Sequence, residues 1–376
     1  MKKSILKSEG FLSFMSSLVS ILCGLLIGYI LLWVFNPKFA NFGLKNLLTA
    51  GFSSSEKLAK VLYQAAPLIM TGLSVGFAFK TGLFNIGASG QYTVGAFCAL
   101  ICGIVFKQPW WVCILASMVG GAVWGFFPGL FKAIFNVNEV ITSIMFNWIG
   151  MFAVNVAFSN IPQALDNYFG ASNADRTAGL SAANPSAIIP KAGLDTLLGS
   201  NYINISIFIA VLVAIIIYII ISKTIFGYEL RACGSNKDAS LYAGIDAKRS
   251  IILSMVIAGA LSGLGGAIYY LAGTGKYTLE KNLLAMGFNG IPVALLASSN
   301  PIATIFSALF ISYIQVGGEA MQPEFSVETI NIILAVIIYM SAFALLMKTV
   351  IGRILNRKRS RDGISTKKSE KGAGSK

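Results

Sequence analysis

The sequence predicts an all-α polytopic membrane protein with about ten transmembrane helices. Of its 376 residues, 56% are hydrophobic and only 12% are charged, and the mean hydropathy is +0.74. A soluble domain normally carries about a quarter charged residues. Apolar runs close to the roughly 20 residues that a helix needs to cross a bilayer also recur along the chain.

The ten predicted spans form one transmembrane domain, residues 1–347. They cover residues 17–35, 61–79, 83–105, 110–131, 138–159, 203–222, 250–272, 283–299, 301–318 and 327–347. Because ten is an even number, both termini lie on the same side of the membrane. If that side is the cytoplasm, the 29 Lys and Arg residues divide into 20 inside and 9 outside, as the positive-inside rule expects.

The basic C-terminal segment, residues 348–376, follows the last span directly. Ten of the 29 Lys and Arg residues lie from Lys348 onward. A basic run beside a membrane helix is typical of a topology anchor at the cytoplasmic face. The charge therefore indicates a cytoplasmic tail and not a nucleic-acid partner.

Two loops between spans differ in character and are predicted to lie on opposite sides of the membrane. The external loop, residues 160–202, is long and rich in Asn, Ala, Ser and Pro. The cytoplasmic loop, residues 223–249, is basic and contains a short predicted helix with Asp238 as its N-cap. Ala239 to Ala243 form the body of this helix, and Gly244 ends it.

Spans two to five and spans seven to ten are predicted to be inverted repeats. Each set contains four spans, and the two sets begin on opposite sides of the membrane. The second member of each set, residues 83–105 and 283–299, is rich in glycine and polar residues. Transporters often place their substrate pathway where such repeats meet.

The stretch GLFNIGASGQYTVGAF, residues 82–97, is too polar for a helix that faces lipid. It holds four glycines and the amides Asn85 and Gln91. An unpaired amide in hydrocarbon costs on the order of several kcal/mol. A helix that is interrupted near Gly87 and faces a watery pathway accounts for both features. Hydrogen bonding within a packed bundle is the alternative interpretation.

Two further segments contribute amides to the candidate pathway, at Asn147 and Asn289. Three aromatic residues, Phe84, Trp148 and Phe288, lie directly next to amides in the sequence. Aromatic faces beside amides suit a flat, uncharged, hydrogen-bonding ligand such as a nucleobase. Ordinary packing of aromatic residues in a helix bundle is again the alternative.

The segment GALSGLGGA, residues 259–267, is predicted to serve helix packing. Gly259 and Gly263 lie four residues apart, as do Ser262 and Gly266. Small residues at this spacing let two membrane helices approach closely.

The sequence also excludes several kinds of chemistry. It contains no His, and none of its five Cys has metal-ligand spacing, so neither a catalytic residue nor a metal site is predicted. No Walker A pattern is present, so the chain does not hydrolyse ATP by that route. No Asp lies inside a predicted span, which disfavours an ion-coupled carrier.

Four segments of the chain carry a family resemblance: TGLFNIGASGQYTVGAF, NEVITSIMFNWIG, GYELRACGSNKDASLYAGIDAKR and MGFNGIPVALLASSNP. Together they resemble the integral-membrane permease subunits of ATP-binding-cassette (ABC) importers over roughly residues 60–347. FNIGASGQ is similar to the nucleoside-uptake branch of a larger group that includes ribose and branched-chain amino acid permeases. Ser89 departs from that branch, in which Glu is common at this position.

The resemblance implies that the cytoplasmic loop is the coupling segment that docks on an ATPase subunit. The corresponding residues here are Glu229, Arg231, Gly234, Asp238, Ala239 and Gly244. The resemblance also implies the partners: a cassette ATPase that carries ATP and Mg²⁺, a second permease subunit, identical or paralogous, and an external binding protein or lipoprotein. The chain itself needs no cofactor.

The sequence therefore predicts the permease subunit of an ABC importer for nucleosides, with no enzymatic activity of its own. The predicted substrate pathway consists of Phe84, Asn85, Gln91, Asn147, Trp148, Phe288 and Asn289. A sugar or amino-acid ABC permease is an alternative, and so is a stand-alone carrier or channel.

Overall fold

The structure is a computed structural model that describes residues 9–170, 175–279, 281–343 and 349. Within these ranges the chain forms fifteen α-helices. They are α1 (Glu9–Phe35), α2 (Ala40–Thr49), α3 (Ser55–Lys80), α4 (Ala88–Ile104), α5 (Trp110–Phe135), α6 (Glu139–Ser159), α7 (Leu180–Ala183), α8 (Leu194–Leu198), α9 (Ser206–Lys223), α10 (Ile225–Ser235), α11 (Lys237–Tyr242), α12 (Ala247–Tyr270), α13 (Ala285–Leu296), α14 (Pro301–Glu319) and α15 (Val327–Ala342).

Each of the ten predicted spans contains an apolar helix, which confirms the predicted fold class. By length and composition, seven of these helices can cross a membrane: α1, α3, α5, α6, α9, α12 and α14. The other three, α4, α13 and α15, are shorter. Except for Thr349, the predicted tail at 348–376 lies outside the described residues. The inverted repeats stay a prediction.

The sequence does not predict α2, which lies between the first two spans. Its ten residues, ANFGLKNLLT, include Lys and two Asn, so they lack the apolar run of a span. The helix is nevertheless tied to the bundle, because the amide of Asn46 donates to the Ala320 carbonyl over 3.1 Å. Gly43 lies against Leu32 of α1.

Helix α3 is the centre of the bundle. Every residue from Ala65 to Ala78 is buried, and the helix packs against α9, α12, α13 and α14. The hydroxyl of Ser54 accepts a hydrogen bond from the Lys57 amide and caps the first turn. A helix that is apolar on all sides is normally enclosed in this way.

Helices α5 and α12 approach each other through glycines, as the small-residue spacing predicts. A Cβ atom on Gly259 would overlap the Gly121 carbonyl, and one on Gly263 would overlap the Ser117 carbonyl. The Ser117 hydroxyl donates to the Gly263 carbonyl over 2.8 Å. Packing and a hydrogen bond therefore hold the two backbones together, as is usual between membrane helices.

The described residues of the loop at 160–202 are folded onto the bundle. It contains α7 and α8, and residues 165 and 177 pair as an isolated β-bridge. The Asn184 amide donates to the carbonyls of Gly103 and Gln108, each over 3.0 Å, and so covers the end of α4. The loop is also fastened by an ion pair of 2.7 Å between Asp166 and Lys276.

We predict that Gly259→Val disrupts the contact between α5 and α12. The added methyl groups would push against the Gly121 backbone, and overpacking of this kind costs on the order of 3 kcal/mol. The measurement is the thermal midpoint of the purified protein in detergent. Ala260→Val is the matched control, because Ala260 is the next residue of α12 and is only half-buried. Equal midpoints for the two variants would contradict the prediction.

Candidate substrate pathway and coupling surface

The backbone between α3 and α4 is irregular as far as Gly87, so the predicted span 83–105 becomes helical only at Ala88, and α4 itself is continuous. Residues 81–87 form turns and irregular backbone, and α4 begins only at Ala88, with Gly87 in the N-cap position. Gly82 has a φ of +74°, a conformation that a residue with a side chain rarely adopts. The polar stretch at residues 82–97 therefore consists of an irregular segment followed by the first turns of α4.

Asn85 and Gln91 bind each other across this break. The Asn85 amide nitrogen donates to the Gln91 side-chain oxygen over 2.8 Å, and the Gln91 amide nitrogen donates back to Asn85 over 3.1 Å. Asn85 also donates to the Ser74 hydroxyl over 3.0 Å. Both amides are fully buried. This reciprocal pair matches the alternative interpretation, hydrogen bonding within a packed bundle, in the conformation seen here.

Asn147 on α6 caps the N-terminus of α4 from a neighbouring helix. Its side-chain oxygen accepts a hydrogen bond of 2.7 Å from the Gly90 amide. Its nitrogen donates to the Ile86 carbonyl over 3.0 Å. The first amides of a helix have no partner within the helix, so a side chain from α6 supplies one.

The N-terminus of α4 meets the N-terminus of α13. The Ser89 hydroxyl donates to the Leu284 carbonyl over 2.9 Å, and a Cβ atom on Gly287 would overlap the backbone of Ser89. Two helix N-termini, each carrying a partial positive charge, therefore face the same place in the bundle. Ser89 is fully buried there and contributes no charge.

The remaining predicted pathway residues are less enclosed than Asn85, Gln91 and Asn147. Phe84 is half-buried and stacks on Phe79, with ring centroids 5.2 Å apart. Phe288 and Asn289 are half-buried near the start of α13. Trp148 is exposed on α6, where it stacks on Phe152.

The structure therefore gathers the amides Asn85, Gln91 and Asn147 around the start of α4 and leaves Trp148 on an outer face. Sequence reasoning did not single out Ser74, the third partner of the amide pair. The one feature of the sequence that could have indicated Ser74 is its hydroxyl within the apolar run of α3. The assignment of these residues to a substrate pathway stays a prediction.

The loop at residues 223–249 forms two helices, α10 and α11, where the sequence predicts one. The Thr224 hydroxyl accepts a hydrogen bond from the Gly227 amide and caps α10. The Asn236 side chain accepts from the Ala239 amide and caps α11. The prediction of Asp238 as N-cap is therefore wrong. Asp238 lies in the first turn of α11, where its charge favours the helix dipole.

The end of α11 agrees with the sequence. Gly244 has a φ of +80°, and its amide donates to the Leu241 carbonyl over 3.0 Å. A glycine in the left-handed conformation is a common end of a helix. The helix stops at Tyr242, one residue before the predicted body ends.

Helix α10 packs against the interrupted segment, residues 81–87 between α3 and α4. A Cβ atom on Gly234 would overlap the Lys80 carbonyl and would lie 2.9 Å from the Gly82 nitrogen. Leu230 and Cys233 are buried on the same side of α10. A cleft of about 280 Å³ lies here, lined by residues 81–83, the end of α5, residues 233–237 and Ile251.

The other side of the two helices is open to solvent. Tyr242 is 95% exposed, and Tyr228 and Leu241 are also exposed. Of the predicted coupling residues, Glu229 is half-buried, and Arg231, Asp238, Ala239 and Gly244 are exposed. Gly234 is also exposed, although it lies on the side of α10 that contacts residues 80–82. Exposed aromatic and aliphatic side chains in a polar setting are typical of a protein-binding surface.

Membrane helices that enclose an irregular backbone segment and buried amides are typical of membrane transport proteins. The sequence profile of the family described as "Branched-chain amino acid transport system / permease component" matches residues 57–342. The chain belongs to this family and is a multi-pass membrane permease, which confirms the family resemblance. Among the residues described, no group of His, Cys, Asp and Glu could hold a metal ion.

Three relatives refine this placement. The nucleoside ABC transporter permease protein NupB of Lactococcus lactis is 35% identical over 344 residues, 89% of this chain and 92% of NupB. The guanosine ABC transporter permease protein NupP of Bacillus subtilis is 33% identical over 344 residues, 90% of this chain and 95% of NupP. The glucose ABC transporter permease protein TsgB13 of Haloferax volcanii is 29% identical over 291 residues, 75% of this chain and 74% of TsgB13. No solved structure matches the chain.

Proposed function

We propose that the chain is the permease subunit of an ABC importer that carries nucleosides into the cytoplasm. The observation that carries this proposal is the similarity to NupB and NupP along 89% and 90% of the chain. TsgB13 is less identical and aligns with 75% of the chain, so a sugar has less support as the substrate. ATP and Mg²⁺ belong to a separate cassette subunit, and this chain has a transport role rather than an enzymatic one.

The proposed orientation places both termini and the α10–α11 unit in the cytoplasm. The positive-inside count supports it, since 20 of the 29 Lys and Arg residues then lie inside. The folded loop at 160–202 then faces outward and receives the external binding protein or lipoprotein. Within it, Asp175 and Arg176 are exposed, whereas Asp166 is buried in its ion pair and is a poor docking residue.

We place the substrate pathway where the N-termini of α4 and α13 meet. The amides of Asn85 and Gln91 pair through one donor and one acceptor each, which is also the pattern along the edge of a nucleobase. A base can therefore replace one amide without leaving the other unpaired. Phe84, Phe288 and Asn289 lie beside this place, Asn147 fixes α4, and Trp148 reaches the ligand only if a second permease subunit covers α6.

We propose that the cassette ATPase docks on α10 and α11. The exposed side chains Tyr228, Leu241 and Tyr242 provide its apolar contact, and Arg231 and Asp238 lie beside them. Glu229 on α10 is half-buried. Gly234 touches the interrupted segment, so a movement of α10 reaches the neighbourhood of Asn85.

The substrate assignment predicts ATP-dependent uptake of nucleosides. The experiment reconstitutes the chain in proteoliposomes with its ATPase, second permease subunit and binding protein, and follows radiolabelled adenosine, guanosine and uridine. Unlabelled nucleosides should compete, and glucose and leucine should not. Competition by glucose or leucine alone would assign a sugar or amino-acid permease. Uptake by the chain without the ATPase would assign a stand-alone carrier or channel.

The pathway assignment predicts that position 85 becomes accessible to water during transport. In a background without the five native cysteines, Asn85→Cys should react with a small charged methanethiosulfonate reagent, and nucleoside should slow the reaction. Thr93→Cys is the matched control, because Thr93 is equally buried on α4 and lies outside the proposed pathway. The prediction fails if the Asn85→Cys thiol does not react while the complex hydrolyses ATP, or if nucleoside does not change its reaction rate. Asn85 would then have only a packing role.

The coupling assignment predicts that Tyr242→Ala separates ATP hydrolysis from transport. Loss of a central aromatic contact should weaken ATPase docking, with ligand-stimulated hydrolysis falling by about tenfold. The fold should survive because the side chain is 95% exposed. Tyr339→Ala is the control, since Tyr339 is also exposed but lies on α15. Normal stimulated hydrolysis in the Tyr242→Ala complex would refute docking at this surface.

A further inference from the structure

Three tyrosines from three separate segments converge at the end of the bundle opposite α10 and α11. They are Tyr63 on α3, Tyr202 just before α9, and Tyr269 on α12. The ring centroids of Tyr63 and Tyr269 lie 5.3 Å apart with an interplanar angle of 26°, and the Tyr202 ring lies 5.9 Å from Tyr63. We call this group the tyrosine cluster.

Polar groups surround the tyrosine cluster. The Lys60 ammonium lies 5.9 Å from the centre of the Tyr202 ring and pairs with the Glu319 carboxylate over 2.5 Å. The Gln64 amide nitrogen donates to Glu319 over 3.2 Å. The Gln64 side-chain oxygen is buried and has no hydrogen-bond partner among the described residues. Donors and acceptors are therefore grouped beside the aromatic faces, and one acceptor is free.

The tyrosine cluster lies far from the amide pair, and α3 has residues beside both of them. Lys60, Gln64, Thr71 and Ser74 repeat along α3 at intervals of three, four and seven residues, which places them on one face. Ser74 contacts Asn85, and it follows Lys60 by about 20 Å at 1.5 Å per residue. Four polar side chains of α3 thus lie on the face that extends from the tyrosine cluster to the interrupted segment.

The cover over the tyrosine cluster is built from small residues. Segment 272–275 reads AGTG, and a Cβ atom on Gly275 would lie 3.2 Å from the Tyr269 ring and 3.6 Å from the Tyr63 hydroxyl. Pro67 lies one turn below Tyr63 and has no amide hydrogen to bond the Tyr63 carbonyl. The outer part of α3 is therefore less firmly bonded to the rest of the helix than an unbroken helix would be.

We propose that the tyrosine cluster is an entry site that receives the flat ring of the ligand before it reaches the amide pair. This inference rests on the proposed function and names residues that set which ligands enter. The rings of Tyr63 and Tyr269 contact one another in this structure, so the ligand ring enters by separating them. Tyrosine faces stack on any base, whereas the free Gln64 oxygen selects ligands that carry a donor on the ring or the sugar.

The test measures adenosine imported per ATP hydrolysed by the full complex, at saturating adenosine-loaded binding protein. Tyr269→Leu removes the stacking face, so ATP is spent without capture and the ratio should fall by about tenfold. Tyr269→Phe keeps the face and should retain the ratio. Tyr313→Leu is the matched control, because Tyr313 is a half-buried tyrosine in the same half of the bundle that packs against Phe52 instead.

A purely structural role would lower import and hydrolysis together and would leave their ratio unchanged, which overturns the proposal. An equal fall for Tyr269→Phe and Tyr269→Leu overturns it too, because the ring face would then be irrelevant. If Tyr269→Leu does not assemble, the half-buried Tyr202→Leu takes its place with the same expectation. Failure of the wild-type complex to import any nucleoside would instead refute the proposed function.

Discussion

The structure depends on satisfying the polar groups that the break between α3 and α4 leaves free. At membrane depth there is little water to bind them, and each unpaired group costs on the order of several kcal/mol. The Asn85–Gln91 pair, the Ser74 hydroxyl and the Asn147 cap together supply the partners. Because Asn147 lies on α6, its hydrogen bonds also hold α4 against a helix that is distant in sequence.

Helix α12 connects the hydrogen-bonded residues around the break to the rest of the bundle. Its Ala258 carbonyl accepts a hydrogen bond of 2.6 Å from Ser74, and its Ser262 hydroxyl donates to the Ala88 carbonyl over 2.6 Å. The same helix meets α5 through Gly259 and Gly263. Close backbone contact on one face and hydroxyl bonds on another therefore position the break without any buried charge among these contacts.

The sequence predicts the ten apolar segments well, because the bilayer demands long apolar runs whatever the tertiary contacts. It predicts boundaries poorly where Gly and Asn allow more than one backbone path, as at the start of α4. The cap of α11 shows the same limit. Asn236 and Asp238 both suit an N-cap by residue type, and the end of α10 at Ser235 decides between them.

Pairing within the candidate site is the least predictable part. The amides stand out in an apolar sequence, and three of them do lie around one helix end. Which amide binds which group depends on distances between helices that no local pattern encodes. Asn147 and Trp148 illustrate this, since neighbouring residues of one helix point to the interior and to the surface. The orientation of α6 separates them.

The contact between Gly82 and Gly234 has a mechanical consequence. A side chain at such a junction can change rotamer and absorb a small shift, whereas two glycines in contact offer only backbone, with the Gly234 Cα 3.2 Å from the position of a Cβ on Gly82. No side chain at this contact can therefore change its rotamer to absorb a shift. A movement of α10 would therefore act directly on the backbone that leads into Asn85, and a larger residue at either position would push the two segments apart.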